Sequence, residues 1–263
     1  MKIAIITGAS SGMGRETAVQ LADRFGGLSE IWIAARRGDR LDALEDVLPV
    51  PVRKFAIDLT KPEERETLSG ALRTVKPDVR ILVNASGYGK IGPAGSVPLE
   101  EETGMVRLNC EALLAVTHLT LPYMGRGGRI IQYASSAAFL PQPGFAVYAA
   151  TKAFVLSYSR ALNEELKPRG IRVTAVCPGP VKTEFFTIAE TTGKMPLYKR
   201  LTMANAPRVV KLAVRDSAMG KTVSVYGPVM KAFRLLCKIA PHGLLLNAMT
   251  ALSPARDAAQ KKG

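Results

Sequence analysis

The first fourteen residues constrain the fold more than any other stretch of the chain. Lys2 to Thr7 is a short apolar run that reads as a buried strand. It ends in Gly8-Ala9-Ser10-Ser11-Gly12-Met13-Gly14. Arg15 to Phe25 then places Ala18, Leu21, Ala22 and Phe25 on one helical face. A structural turn needs one glycine; three at this spacing let the backbone turn tightly and approach a phosphate at a helix N-terminus. Strand, Gly-x-x-x-Gly-x-Gly and helix in that order point to a pyrophosphate cradle.

The alternation continues. Further strands are expected at Ile31–Ala35, Val52–Ile57, Arg80–Val83, Arg129–Ala134, Ile171–Val176 and Thr222–Tyr226. Helices are expected at Leu41–Leu48, Pro62–Val75, Pro98–Tyr123, Ala146–Leu166 and Ala206–Met219. Strands alternating with helices of this length mean βαβ units, a parallel sheet and right-handed crossovers. The expected class is α/β, a Rossmann-type doubly wound parallel seven-stranded sheet with helices on both faces. One domain is expected over residues 1–227, followed by a C-terminal basic amphipathic extension over 228–263.

The second strand ends in Ala35-Arg36-Arg37. A fold that prefers NAD usually places an acid here to bond the ribose 2′-hydroxyl. This chain has two arginines and no acid before Asp39. A guanidinium fits a 2′-phosphate bidentately, so NADP(H) is the expected cofactor.

Tyr148 and Lys152 stand four apart in a helical stretch, on one face and one turn apart. An ammonium near a phenol favours phenolate, which predicts a lowered Tyr148 pKa and proton exchange near neutral pH. Tyr-x-x-x-Lys by itself is weak evidence, because a tyrosine under a lysine stem is common.

At this point the chain resembles the short-chain dehydrogenase/reductase family in its single-domain form. The resemblance rests on Thr7 to Gly14, Asp58-Leu59, Asn84-Ala85-Ser86-Gly87, Asn109, Ser135, Tyr148 with Lys152, and Pro178-Gly179-Pro180-Val181-Lys182-Thr183, all in order. It implies an oxidoreductase that moves a hydride between NADP(H) and a carbonyl or secondary alcohol. In it Tyr148 is the general acid/base, and Lys152 lowers its pKa and bonds the nicotinamide ribose. Ser135 bonds the substrate oxygen, with Ser136 as a rival, and Asn109 holds a water that links Lys152 to solvent. Gly8, Ser10, Ser11, Gly12, Met13 and Gly14 cradle the pyrophosphate. Asp58 bonds the adenine amino group, with Leu59 beside the ring. Asn84, Ala85 and Ser86 flank the adenosine ribose, and Pro178, Gly179, Val181 and Thr183 line the nicotinamide end. The family usually reads Asn-Asn-Ala-Gly where this chain has Asn-Ala-Ser-Gly, so Ala85 removes one side-chain amide. No metal is implied. The family's assemblies imply a homodimer or homotetramer joined by the two long helices.

The substrate side is expected after the sixth strand, from Glu184 to Leu201, with Phe185, Phe186, Met195, Pro196, Leu197 and Tyr198. Tyr88, Phe139, Leu140 and Phe145 are expected opposite. Large apolar groups favour an apolar or acyl-chain ketone over a sugar. A cofactor-binding sensor or scaffold with little turnover is the competing reading, and a membrane-associated lipid or steroid reductase the third.

Composition adds two limits. Cys110, Cys177 and Cys237 have no metal-ligand spacing and read as buried thiols of a reducing compartment. No stretch of about 18 apolar residues exists, and the N-terminal apolar run is too short for a signal peptide. A cytoplasmic protein is expected, with a peripheral place at a membrane as the second reading. Charge is uneven: from Lys194 onward there are thirteen lysines and arginines against Asp216 and Asp257, a surplus of eleven out of the net +14. Such a tail suits an acidic partner: a membrane surface, a phosphorylated substrate or an acyl-carrier protein. It carries no recognisable nucleic-acid-binding motif. Gly227 to Leu252 reads as a basic amphipathic helical hairpin, with Lys231, Arg234 and Lys238 at i, i+3 and i+7. It suits a membrane interface, a cover over an apolar substrate cleft, or a subunit contact.

Overall fold

The computed structural model describes residues 1–193 and 203–251. The strands are β1 (Lys2–Thr7), β2 (Glu30–Ala35), β3 (Val52–Ala56), β4 (Asp78–Asn84), β5 (Arg129–Tyr133), β6 (Arg172–Val176) and β7 (Val223–Ser224). They form one sheet in the order β3-β2-β1-β4-β5-β6-β7. Every adjacent pair is parallel. The order reverses between β1 and β4, and a crevice opens there at the carboxyl ends of the strands. The expected doubly wound sheet is present.

Burial explains the strand sequences. Ile3, Ala4, Ile5 and Ile6 are fully buried, because a central parallel strand is covered on both faces. Ala4, Ile6, Ile31 and Ile33 enter the core beneath helix α1 (Gly12–Arg24). Ile3, Ile5 and Trp32 enter the opposite core with Leu68 and Leu72 of helix α3 (Pro62–Val75). Adjacent residues of one strand thus serve two layers, as a pleat requires.

Several elements depart from expectation. Helix α2 (Gly38–Glu45) begins three residues early. The final strand shrinks to Val223–Ser224, an edge with a single pairing partner. The expected long helix over Pro98–Tyr123 is four pieces: α4 (Leu99–Val106), a π-helical segment (Arg107–Ala112), α5 (Leu113–Thr120) and a 3₁₀ turn (Leu121–Tyr123). A hydrophobic period cannot distinguish one wide turn inside an otherwise helical run.

Helix α6 (Ala146–Leu166) matches its expected span. The region after β6 holds a short helix α7 (Phe185–Ala189), and Met195, Pro196, Leu197 and Tyr198 lie outside the described residues. Helix α8 (Ala206–Ala218) packs against α1. The C-terminal segment forms two helices, α9 (Pro228–Ile239) and α10 (His242–Ala251), separated at Pro241. No described helix is long and apolar enough to cross a membrane.

Candidate active site

The crevice at the β1/β4 reversal holds two adjoining hollows. The first is lined by Gly8, Ser10, Ser11, Gly12, Met13, Gly14, Arg36, Arg37, Asp58, Leu59, Ala85, Ser86 and Thr183 among the expected residues. Ala35, Ile57, Gly87, Tyr88, Leu108, Glu184, Phe185 and Ile188 complete it. The second contains Ser135, Tyr148, Pro178, Gly179, Val181, Thr183, Phe185 and Phe186. Met13, Thr183 and Phe185 border both, so the hollows meet.

The glycine turn is built by contact. A Cβ on Gly14 would run into the Gly8 carbonyl oxygen, and Gly8 itself sits at φ +68°. Only glycine lets the turn and the first turn of α1 close on each other. Ser11 caps α1 without a side-chain hydrogen bond. The first amides of the helix therefore face the hollow with no side-chain acceptor, which fits a pyrophosphate.

At the far end of this hollow the charges pair among themselves. The Arg37 guanidinium donates to Ser10 Oγ at 3.2 Å and to Glu184 Oε2 at 3.0 Å. Arg40 reaches the other Glu184 oxygen at 3.7 Å. Arg36 lies 4.0 Å from Asp58. Asp58 Oδ1 accepts from the Thr60 amide (2.9 Å) and hydroxyl (2.8 Å). Burial pushes the Asp58 carboxyl up, but these bonds, with Arg36 and Lys61 nearby, hold it below its ordinary value.

The second hollow is buried and aromatic. Tyr148 is stacked on Phe145 at 4.2 Å between centroids, and Phe185 tilts over it at 5.3 Å. Ser135 lies beside the Tyr148 side chain, near enough to favour its ionised form, and its Oγ accepts from the Ala137 amide at 3.1 Å. Ser136, the rival serine, donates its backbone amide to the Pro178 carbonyl. The serine nearer the phenol is therefore Ser135.

The expected lowering of the Tyr148 pKa is not found. Burial pushes the phenol up to about 12, and the nearby Ser135 only partly opposes it. Burial also pulls Lys152 down to about 8. The Lys152 Nζ donates to the Tyr133 carbonyl at 2.8 Å and sits 5.7 Å from the Tyr148 ring centroid. Helical spacing brings the two residues together but does not direct the ammonium at the phenol oxygen. Desolvation therefore decides both shifts, each towards the neutral form.

Three expected residues lie behind the lining. Asn84 is buried, and its amide donates to Thr117 Oγ1 at 3.0 Å, below the loop and away from the hollow. Lys152 lies under Gly87, where a Cβ would fall 3.3 Å from its Nζ and 2.8 Å from Asn109 Oδ1. Asn109 is fully buried in the π-helical segment. Its Oδ1 accepts from the Tyr88 amide (3.0 Å), and its Nδ2 donates to the Tyr88 carbonyl (2.9 Å) and Thr151 Oγ1 (3.0 Å). Both amide hydrogens are used, so the side chain ties the loop after β4 to α6, and Oδ1 keeps one acceptor site beyond the Tyr88 amide.

Of the expected substrate wall, Phe145, Phe185 and Phe186 line the second hollow, while Tyr88 lines the first. Phe139 packs on Phe233 of α9, and Leu140 is buried outside both hollows. Sequence reading missed Thr151 and the Tyr133 carbonyl, the partners of Asn109 and Lys152. A hydroxyl three residues after Tyr148 was a visible signal; a backbone acceptor leaves none.

The model of the short chain dehydrogenase family matches residues 2–192. A serine 3-dehydrogenase from Agrobacterium fabrum is 34% identical over 230 residues, spanning 84% of this chain and 90% of that protein. A very-long-chain 3-oxoacyl-CoA reductase from Ajellomyces capsulatus is 33% identical over 210 residues, 76% of this chain and 61% of that one. A short-chain dehydrogenase from Sphingobium yanoikuyae, solved with NADPH, superposes with a TM-score of 0.76 at 29% identity, covering 92% of this chain and 97% of that one. One from Burkholderia phymatum, solved with NAD, gives 0.77 at 22% identity over 89% and 92%.

Proposed function

The chain belongs to the short-chain dehydrogenase family and is an oxidoreductase, and from that premise we propose that it reduces a carbonyl compound with NADP(H), the substrate being an apolar or acyl-chain ketone. The observation that carries the proposal is the Tyr148–Ser135 pair inside an aromatic hollow that opens onto the glycine-loop cleft. When bound, the cofactor supplies the hydride. The chain's own residues manage one proton and the orientation of the carbonyl.

Tyr148, with its pKa near 12, is protonated at neutral pH and is the proton donor to the carbonyl oxygen. Ser135 donates to the same oxygen and stabilises charge that develops there. Lys152, bonded to the Tyr133 carbonyl, holds a positive charge beside the Tyr148 ring, behind the lining at Gly87, and would bond the nicotinamide ribose. Asn109 is a positioning residue that ties Tyr88 to Thr151. The α1 amides and Gly8, Gly12 and Gly14 would hold the pyrophosphate. Asp58 and Leu59 would take the adenine, Ala85 and Ser86 its ribose, and Pro178, Gly179, Val181 and Thr183 the nicotinamide end.

Arg36 and Arg37 at the end of β2 support a 2′-phosphate, which would exchange with the exposed pairings of Arg37 to Glu184 and Arg36 to Asp58. The NADPH in the Sphingobium yanoikuyae protein agrees with this choice. Phe145, Phe185 and Phe186 favour an apolar substrate, in keeping with the 3-oxoacyl-CoA reductase relative. Val106, Leu114 and Phe154, exposed on the helices flanking the π-helical segment and on α6, support a homo-oligomer joined there.

The test is a screen of NADPH and NADH oxidation over 3-oxoacyl thioesters, steroids, quinones and small ketones, with serine oxidation as the polar alternative. Turnover of a 3-oxoacyl or other apolar ketone with NADPH, lost in Tyr148→Phe, is expected. A preference for serine, or for NADH, would overturn the substrate or cofactor part respectively.

A further inference from the structure

Helix α9 carries two apolar faces, and only one is used. Met230, Phe233 and Cys237 turn inward. A Cβ on Gly179 would collide with the Met230 side chain, and Phe233 meets Phe139 at 6.4 Å between centroids. This inner face braces the wall of the substrate hollow. Val229, Leu235, Leu236 and Ile239 point outward, with Ile239 75% exposed, and Leu244 of α10 is 66% exposed. The outward residues occupy an arc of about 120° at helical spacing. Along one border of that arc run Lys231, Arg234 and Lys238, none with an ion pair to another described residue.

Arg234 also lines an open hollow with Arg160 and Lys221, where Glu164 is the sole carboxylate. Glu164 is bonded to Lys167, and Lys221 to Asp216, which leaves the Arg160 and Arg234 guanidiniums facing that hollow. From Ser217 to Ala255 the sequence contains no Asp or Glu. A second copy of this segment laid on the first would therefore set cations against cations. An apolar stripe bordered by lysines, on a helix too short to span, instead matches a bilayer surface carrying anionic headgroups.

We propose that the outward face of α9 rests on an anionic lipid surface, with Val229, Leu235, Leu236 and Ile239 in the acyl boundary and Lys231, Lys238 and Arg234 at headgroup level. The same helix braces the substrate hollow through its other face, so the membrane contact and the hollow are separated by one helix thickness. This inference does not depend on the cofactor or substrate reading, because its readout is binding.

The test is co-sedimentation of the full chain with vesicles of phosphatidylcholine alone and with about one-third phosphatidylserine. Each basic residue near such a surface contributes roughly a fivefold change in partitioning. Binding to the serine-containing vesicles is expected to exceed binding to the neutral ones by at least tenfold and to weaken as salt rises. The double variant Lys231→Glu, Lys238→Glu loses more than roughly 25-fold, and Leu235→Asp with Ile239→Asp abolishes binding. Both pairs are exposed and outside the hollows, so circular-dichroism melting is expected to match the parent. No sedimentation, equal binding to both vesicle types, or full binding by the Leu235→Asp, Ile239→Asp variant would each overturn the proposal. A change in mass by light scattering in that variant, with no vesicle binding by the parent, would reassign the face to a contact between copies.

Discussion

Lys152 is 6% exposed and bonded to one backbone carbonyl, whereas the Arg37 side chain is 43% exposed and shared between Ser10 and Glu184. Both cations belong to one crevice, and they are held in opposite ways. At the Lys152 end the partners are fixed by the fold: Tyr133 is in β5, Thr151 in α6 and Asn109 in the π-helical segment. At the Arg37 end the partners are the Ser10 hydroxyl and the exposed Glu184 carboxylate, an ion pair that contributes about 0–1 kcal/mol. A site that moves a proton benefits from groups already desolvated and oriented. A site that takes up a charged ligand benefits from cations whose existing partners exchange cheaply. The comparison predicts large effects of mutation on the buried side and small, cofactor-dependent effects on the exposed side.

The largest effect is expected for Tyr148→Phe. It keeps the Phe145 stack and removes the proton donor. Steady-state kinetics should show kcat reduced by roughly 10³-fold, with the cofactor KM within about twofold of the parent. Retention of more than a tenth of the activity would remove Tyr148 from the proposed role. Lys152→Met tests the other half of the buried pair through stability. The folded pKa of about 8 lies below the ordinary lysine value of 10.5, so folding disfavours the charged form. That cost is complete below pH 8 and vanishes as pH rises towards 10.5, an interval worth about 3 kcal/mol. The lost bond to Tyr133 offsets part of any gain. Denaturant unfolding should show the stability of the methionine variant relative to the parent falling steadily from pH 7.5 to pH 10. A difference that stays flat would mean that Lys152 is solvated in the native protein.

The two ends also differ in how much of them was legible. Gly8, Gly12 and Gly14 announce the cradle because no other residue tolerates the approach of the Gly8 carbonyl to Gly14. Arg36 and Arg37 announce an anion because arginine at the end of a buried strand has little other use. Tyr148 and Lys152 announce their proximity but not the direction of their pKa shifts, which depends on how deeply α6 is covered by Phe145 and Phe185. The π-helical turn at Asn109 leaves no mark on apolar spacing, so a straight helix was the natural expectation. In the sequence Glu184 marks only the start of a substrate loop; its reach to Arg37 depends on where that loop returns over the crevice. The doubly wound parallel sheet followed from strand alternation and the handedness of crossovers, both local rules. What stayed hidden depends on which side chains meet across 20 to 150 residues.

Asn109→Ala sharpens the comparison at intermediate size. It removes three hydrogen bonds from a buried position and strips the Tyr88 backbone of its partner. A loss of about 2–3 kcal/mol is expected in chemical denaturation. If the side chain acts by positioning, kcat should fall roughly 10- to 100-fold while the pH profile keeps its shape. A changed profile with unchanged kcat at its optimum would point instead to a role in proton supply.

The smallest effects belong to the Arg37–Glu184 pair, where the sign is the informative part. Arg37→Ala should raise the KM for NADPH by roughly 5- to 20-fold, as loss of one charge-assisted contact would. The KM for NADH should stay within about twofold. Glu184→Gln acts the other way. Glu184 accepts from Arg37 and sits 3.7 Å from Arg40, so it competes with a 2′-phosphate for the same guanidinium. Removing its charge should lower the KM for NADPH by about twofold to fivefold, the range of an exposed ion pair, and leave NADH unaffected. The effect should shrink at high ionic strength, where exposed charges are screened. Equal changes for both cofactors would show that Glu184 acts on the position of Phe185 over Tyr148 rather than on Arg37, since the two residues are adjacent in the chain. A raised KM for NADPH would mean that Glu184 orients Arg37 for the phosphate, and the exposed end would then be as preorganised as the buried one.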